Sequence, residues 1–257
     1  MEDKRMIHFV GAGPGATDLI TLRGAELLKT ADAIVYAGSL VNPELLAFAK
    51  KDCEIHNSAK MTLDEVITVL LHVHCGGKTA VRLHTGDPSL YGAIREQMDR
   101  LESEGVPYDI CPGVSSFCGA AAALKAEYTL PQVSQSVIIT RMTGKTSVPE
   151  KESIASFAAH GATMVIFLSA GMTEDLQREL LFGGYSKDTP AAIVYKASWP
   201  DEKVFRCTVG TLAKTSKQSG VSNLALILVG GFLGNDYELS KLYDPAFTTA
   251  FRQGGKA

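Results

Sequence analysis

The first 125 residues repeat one local plan three times: a short apolar run, a glycine-containing polar loop, then a helical pattern. Val81 and Leu83 read as a strand, Thr85-Gly86-Asp87-Pro88 breaks regular structure, and Tyr91, Ile94, Met98 and Leu101 carry a helical period to Glu104. Met6 to Val10 leads into Gly11-Ala12-Gly13-Pro14-Gly15 and a helix to Thr30, and Tyr108 to Cys111 leads into Pro112-Gly113-Val114-Ser115-Ser116 and a helix over 117–125. Such alternation requires an open α/β sheet, in which ligands bind outside the carboxyl ends of the strands. A single loop of this kind is equally a plain connection, with Asp87 as a local cap. Three in one half of a chain point to a binding site.

The glycine loop has the spacing of a dinucleotide fingerprint in Gly11, Gly13 and Ala16. Two features oppose that reading. Pro14 removes an N–H where pyrophosphate would be cradled, and the strand over 33–36 ends in Tyr-Ala-Gly-Ser without the acid that would hold a ribose. A nicotinamide oxidoreductase is the alternative these features weigh against.

Between the first two loops, Asn42 caps a short helix over 43–49, and Thr62 with Glu65 forms a capping box for a helix ending at Gly76-Gly77. His72 and His74 on that helix are spaced i, i+2, which points their rings apart, so no metal site is expected there. The five cysteines include no Cys-x-x-Cys pair and are odd in number, which argues against a disulfide framework and against zinc. Of these, Cys111 and Cys118 flank the third loop.

The segment 127–135 lacks either period and contains Pro131, so it is read as the boundary between a first domain over 1–126 and a second over 136–235, with 236–257 a peripheral tail. In the second domain the strands over 190–195 and 204–209 are joined too tightly for a helical crossover, which makes them antiparallel and the sheet mixed. The expected architecture is therefore two α/β domains, each a mostly parallel or mixed sheet flanked by helices.

A formal net charge of −3 supplies no basic footprint for nucleic acid. No apolar run approaches the ~20 residues of a membrane helix, and Met1 to Arg5 lead into a strand rather than a signal sequence, which predicts a cytoplasmic protein.

Taken in order, GAGPGATDLITLRGAELL (11–28), HTGDPSLYG (84–92), PGVSS (112–116) and YKASWPDEKV (195–204) resemble the tetrapyrrole methylase family of corrin and sirohaem biosynthesis. The resemblance spans about residues 6 to 233. HTGDPSLYGAIREQM, TRMTGKTSVPE (140–150) and the Trp-Pro-Asp-Glu turn are most similar to the branch acting at C-11 of precorrin-4 or cobalt-precorrin-4. Uroporphyrinogen-III methyltransferases carry Gly-Gly-Asp-Pro where this chain has Thr85-Gly86-Asp87-Pro88; methylation of that substrate, or at C-20 or C-17 of a precorrin, is the nearer alternative.

The resemblance implies a homodimer and an active-site cleft between the domains that binds S-adenosyl-L-methionine and releases S-adenosyl-L-homocysteine. It places Pro14, Gly86, Asp87, Leu90, Tyr91, Ser115 and Ser116 in the cofactor pocket, joined by Leu168, Ala197 and Ala225 from the second half. Asp87 would position the ribose or amine of the cofactor or, alternatively, act as general base. A precorrin is a flat ring carrying many carboxylates. Arg82, His84, Arg141, Lys145 and Lys196, in or beside these loops, are the substrate candidates.

Overall fold

The computed structural model describes residues 6–255. The leader reading of Met1 to Arg5 and the last two residues of the tail lie outside them. The chain divides into two compact units.

The first unit holds β1 (Ile7–Gly11), β2 (Ala33–Tyr36), β3 (Glu54–Asn57), β4 (Ala80–His84) and β5 (Tyr108–Cys111), in the order β3-β2-β4-β1-β5. Every pairing in it is parallel. A parallel sheet must be covered on both faces, and the strands obey by alternation. Ile7, Phe9, Ala33, Val35 and Ala80 pack against α2 (Leu63–Cys75) and Leu101 of α3 (Arg95–Ser103). Val10, Ile34, Val81 and Leu83 pack against Leu28 of α1 (Leu22–Thr30) and Leu45. On α2 the spacing of Val66, Ile67, Leu70 and Val73 presents one buried stripe, each residue contributing ~1.5–3 kcal/mol by leaving water.

The capping box on α2 is present in both directions between Thr62 and Glu65, and Asn42 caps the segment 43–48, which winds as a 3-10 helix. One strand carries no signal in the sequence, and one expectation needs correction. β3 has no apolar alternation to betray it: it is a largely exposed edge strand, with Ile55 its lone large apolar residue. α3 begins at Arg95 rather than at Tyr91, because Tyr91 (φ 57°) and Ala93 (φ 50°) are left-handed and cannot sit in a right-handed helix.

The second unit has β6 (Val137–Arg141), β7 (Thr163–Phe167), β8 (Pro190–Tyr195), β9 (Lys203–Thr208) and β10 (Ala225–Val229), in the order β6-β7-β10-β8-β9. β6 and β7 are parallel, while β10 runs antiparallel to both β7 and β8, so the sheet is mixed. Its core joins Met164, Ile166, Ile193 and Ile227 to Ile154 and Ala158 of α5 (Ile154–Ala158), Leu176 and Leu180 of α6 (Thr173–Phe182) and Leu212 of α7 (Leu212–Ser219). From residue 234 on, the described tail contains a single 3-10 turn, Lys241–Tyr243.

Contacts divide the units at Ala123/Leu124, and they also assign Lys196–Lys203, the connection from β8 to β9, to the first unit. No helix of the described residues is long and apolar enough to cross a membrane.

Candidate active site

The chain leaves β1 toward β2 and leaves β4 toward β5, although β1 and β4 are neighbours. Adjacent strands whose connections depart in opposite directions open a crevice at their carboxyl ends. The three glycine loops meet there.

The first two are stitched by a bridge in which Gly86 N–H donates to the Gly13 carbonyl at 2.9 Å and Gly13 N–H to that of Gly86 at 3.3 Å. The third comes in at Gly113, where a Cβ would lie 2.2 Å from the Gly86 carbonyl oxygen and 2.7 Å from the Gly11 Cα. Only glycine permits that approach.

Asp87 fastens the assembly. Its Oδ1 accepts from Ser89 N–H at 2.9 Å and from the Ser89 hydroxyl at 2.5 Å, and its Oδ2 accepts from Gly113 N–H at 2.9 Å. Burial alone would raise its pKa, but these bonds outweigh burial and hold the carboxyl below the usual range. It is therefore an ionised acceptor that fixes the loop over 112–116 to the loop over 85–92, with one lone pair on Oδ2 left over.

Beyond it, Leu90 is half-buried and Tyr91 is 43% exposed on the left-handed coil leading to α3. Ser115 is buried, and Ser116 opens α4 (Ser116–Leu124). The Cβ position of Gly86 is 3.3 Å from Ser116 N and 3.5 Å from Ser115 Cα.

The glycine loop after β1 cannot serve as a pyrophosphate cradle. Ala12 N–H donates to His84 O, Gly13 N–H to Gly86 O and Ala16 N–H to the Ser198 hydroxyl. The buried Asn42 amide donates to Gly15 O at 2.8 Å, and the Trp199 indole N–H to Pro14 O at 3.2 Å. With these groups already bonded within the chain, the nicotinamide alternative loses its structural basis.

Ser198 and Trp199 belong to the turn between β8 and β9. It is strained: Lys196 (φ 46°) and Ser198 (φ 67°) are left-handed on either side of buried Ala197, at a cost on the order of 1–3 kcal/mol each. Lys196 pairs with Asp201 at 2.7 Å and lies 5.1 Å from the centre of the Trp199 ring. Sequence reasoning marked Trp-Pro-Asp-Glu as a motif, but nothing in it showed that Trp199 would land on Gly15.

The substrate candidates divide. Arg82 and His84 require correction, because they lie inside the sheet rather than on an open carboxylate-binding surface. Residue alternation turns both toward the α2 and α3 face, where Arg82 is 6% and His84 3% exposed. Arg82 Nε donates to Gln97 Oε1 at 2.9 Å and its Nη1 to Val35 O at 3.0 Å, and burial lowers its pKa to about 10. Gln97 in turn donates to Ala93 O, so this buried arginine supports the left-handed coil. His84 stacks on Phe9, and its pKa is pushed down to about 3 by burial and then by the Arg82 charge. It is neutral, and its Nε2 is buried without a hydrogen-bond partner.

Arg141 braces its own loop, donating to the carbonyls of Met142, Thr146 and Ser147. Lys145 stands exposed on that loop.

In the second unit, β6, β7 and β8 end where β10 begins: Arg141 pairs with Phe167, and Tyr195 with Ala225. The antiparallel register of β7 and β10, carried on from Ile166 and Ile227, brings Leu168 level with Ala225. Leu168 is left-handed (φ 52°) and 63% exposed, and Leu224 beside Ala225 is left-handed as well (φ 50°). An apolar side chain held in solvent on strained backbone marks a place shaped for something other than stability.

The chain belongs to the tetrapyrrole (corrin/porphyrin) methylases, whose family profile matches residues 6–213. It is a methyltransferase of two α/β domains. It is 50% identical over 257 residues to the cobalt-precorrin-4 C(11)-methyltransferase of Methanocaldococcus jannaschii, covering 100% of this chain and 99% of that one. It is 43% identical to a precorrin-4 C(11)-methyltransferase of Sinorhizobium sp, over 97% of this chain and 99% of the relative. Among solved structures, a cobalt precorrin-4 methyltransferase of cobalamin biosynthesis superposes with a TM-score of 0.88 at 45% identity, covering 90% of this chain and 97% of that one. The uroporphyrin-III C-methyltransferase of Thermus thermophilus, solved with S-adenosylhomocysteine, gives 0.76 at 27% identity over 89% and 98%.

Proposed function

We propose that this enzyme transfers a methyl group from S-adenosyl-L-methionine to C-11 of precorrin-4 or cobalt-precorrin-4, as a cytoplasmic homodimer. The observation that carries the substrate is the length and level of similarity: 50% identity across the whole chain to a relative named for cobalt-precorrin-4, against 30% over 239 residues to a uroporphyrinogen-III methyltransferase of Bacillus subtilis.

The residues at the strand ends fit the donor. Gly86 lets the loop over 85–92 lie close against Ser115 and Ser116, where a Cβ would come within 3.3 Å of Ser116 N, so backbone, hydroxyl and helix-start N–H groups converge where the donor would bind. Leu90 and Tyr91 offer apolar surface, Pro14 and Ala197 are buried, and Leu168 and Ala225 are the second unit's candidates for the donor.

The donor supplies a methyl group already activated on a sulfonium. No nucleophile is then required of the protein. Its residues hold the acceptor carbon in line, where orientation is worth up to ~7–11 kcal/mol. In this reading Asp87 acts by fixing the loops over 85–92 and 112–116, and its remaining lone pair accepts from the donor's amine or ribose. Lys145, exposed on its loop, is the cation offered to substrate carboxylates, and Lys196 would meet one only by giving up its pairing with Asp201.

Incubation with each candidate intermediate, followed by mass spectrometry and NMR of the product, tests the reading. Methyl incorporation at C-11 is expected; transfer to uroporphyrinogen III, or to C-17 or C-20, would refute it. Sedimentation equilibrium checks the dimer.

A further inference from the structure

The turn 196–203 leaves the second sheet at β8, joins the first unit and returns at β9. Its contacts there include Pro14, Gly15, Ala16 and Gly119, at the loop and helix beside the proposed donor site. The Cδ1–Nε1 edge of the Trp199 ring lies against Gly15, so closely that a Cβ there would be 1.9 Å from its Cδ1. Its indole N–H donates to Pro14 O at 3.2 Å, and the neighbouring Ser198 hydroxyl accepts from Ala16 N–H at 2.9 Å. From the other side, Asn42 holds Gly15 O.

Gly119 of α4 completes the arrangement. A Cβ there would be 2.8 Å from the Pro14 Cβ and 3.4 Å from the Ala197 Cβ, so Pro14 and Ala197 share one notch on that helix. Ala197 is held between two left-handed residues, and its position is fixed by whatever fixes the turn. The turn carries its own lock, a Lys196–Asp201 ion pair beside the Trp199 ring.

We infer that Trp199 is a positioning residue for the methyl donor: by clamping Pro14 and Gly15 it holds Ala197 and Pro14 in register across Gly119. It touches neither the donor nor the reacting atoms. The inference rests on the proposed donor site, which includes Pro14 and Ala197.

Trp199 is the sole tryptophan of the chain, so its emission reports the clamp directly. The experiment titrates S-adenosylhomocysteine by calorimetry into wild type, Trp199→Phe, Trp199→Ala, Gly15→Ala and the Gly15→Ala/Trp199→Ala double variant, each checked for folding by circular dichroism. Trp199→Phe keeps an aromatic ring beside Gly15 but loses the N–H bond and the second ring of the indole, so it is expected to bind about threefold more weakly. Trp199→Ala removes ring and bond together and is expected to bind about tenfold more weakly or worse. Gly15→Ala evicts the ring and also strains the backbone at φ +156°, so it should bind at least as weakly as Trp199→Ala and shift the indole emission to the red. The double variant should be no worse than Gly15→Ala alone, because the ring contact is already lost there.

Kinetics should show the loss in KM for the donor, with kcat at saturating donor nearly unchanged. Wild-type affinity in Trp199→Phe and Trp199→Ala would overturn the inference, as would additive losses in the double variant. Should Trp199→Ala not fold, Trp199→Phe alone decides. A wild-type protein that does not bind S-adenosylhomocysteine would overturn the donor site itself, and the positioning role with it.

Discussion

Asp87→Asn separates a loop fastener from a proton acceptor. The carboxylate accepts three hydrogen bonds, two from Ser89 on one oxygen and one from Gly113 N–H on the other. An asparagine can keep its carbonyl on the Ser89 donors, but its amide then faces the Gly113 N–H, donor against donor. One charge-assisted bond of ~1.5–3 kcal/mol disappears, and the Ser89 pair falls toward the ~1 kcal/mol of neutral bonds. Because the residue is only partly buried, the low end applies, and a stability loss of about 2 kcal/mol is expected in urea unfolding at pH 7.

The freed loop carries Ser115 and Ser116, so S-adenosylhomocysteine should bind about tenfold more weakly, while single-turnover methylation at saturating donor should fall less than about threefold. The pH dependence has a definite sign. A carboxyl held below its usual 3.8 stabilises the fold above that value, and the contribution is lost as pH falls through the folded-state pKa. The Asn variant should therefore lose less stability than wild type on acidification below about pH 4. Wild-type stability and donor affinity with a collapsed single-turnover rate would refute the reasoning and make Asp87 the proton acceptor.

Gly113→Ala should abolish donor binding in calorimetry and lower the urea midpoint, because its Cβ meets the Gly86 carbonyl at 2.2 Å, where backbone rather than a flexible side chain must move. His84 is neutral in the fold with a pKa near 3 against its usual 6.5, so the unfolded chain binds the extra proton between those values. Stability should fall on acidification through that window by up to ~1.4 kcal/mol per pH unit, and His84→Phe, which keeps the stacking on Phe9, should flatten that part of the profile. Leu168→Gly relieves a left-handed residue whose side chain is 63% exposed, and should stabilise the protein by ~1 kcal/mol while weakening S-adenosylhomocysteine binding, as read by urea unfolding and calorimetry.

The sequence by itself determined the elements and their sites of connection. Strand–loop–helix alternation is a local signal, so β1, β4 and β5 and their glycine loops were legible, as were the caps at Asn42 and Thr62 and the mixed second sheet implied by the short β8–β9 connection. The motifs in the loops over 11–16, 85–92 and 112–116 and the turn 195–204 also sufficed to indicate the family. What they could not show is who faces whom. β3 was invisible because edge strands need no apolar alternation, and the onset of α3 was misplaced because left-handed Tyr91 and Ala93 follow from loop closure, not from residue preference. Arg82 and His84 looked like surface cations because charge in a loop-adjacent strand is usually solvated. Only the position of α3, which supplies Gln97, and of β2, which supplies the Val35 carbonyl, makes a buried arginine tolerable. The Gly113 N–H on Asp87 and the seat of Trp199 on Gly15 join residues far apart in the chain, and such contacts exist only once the sheet has set the distances between loops.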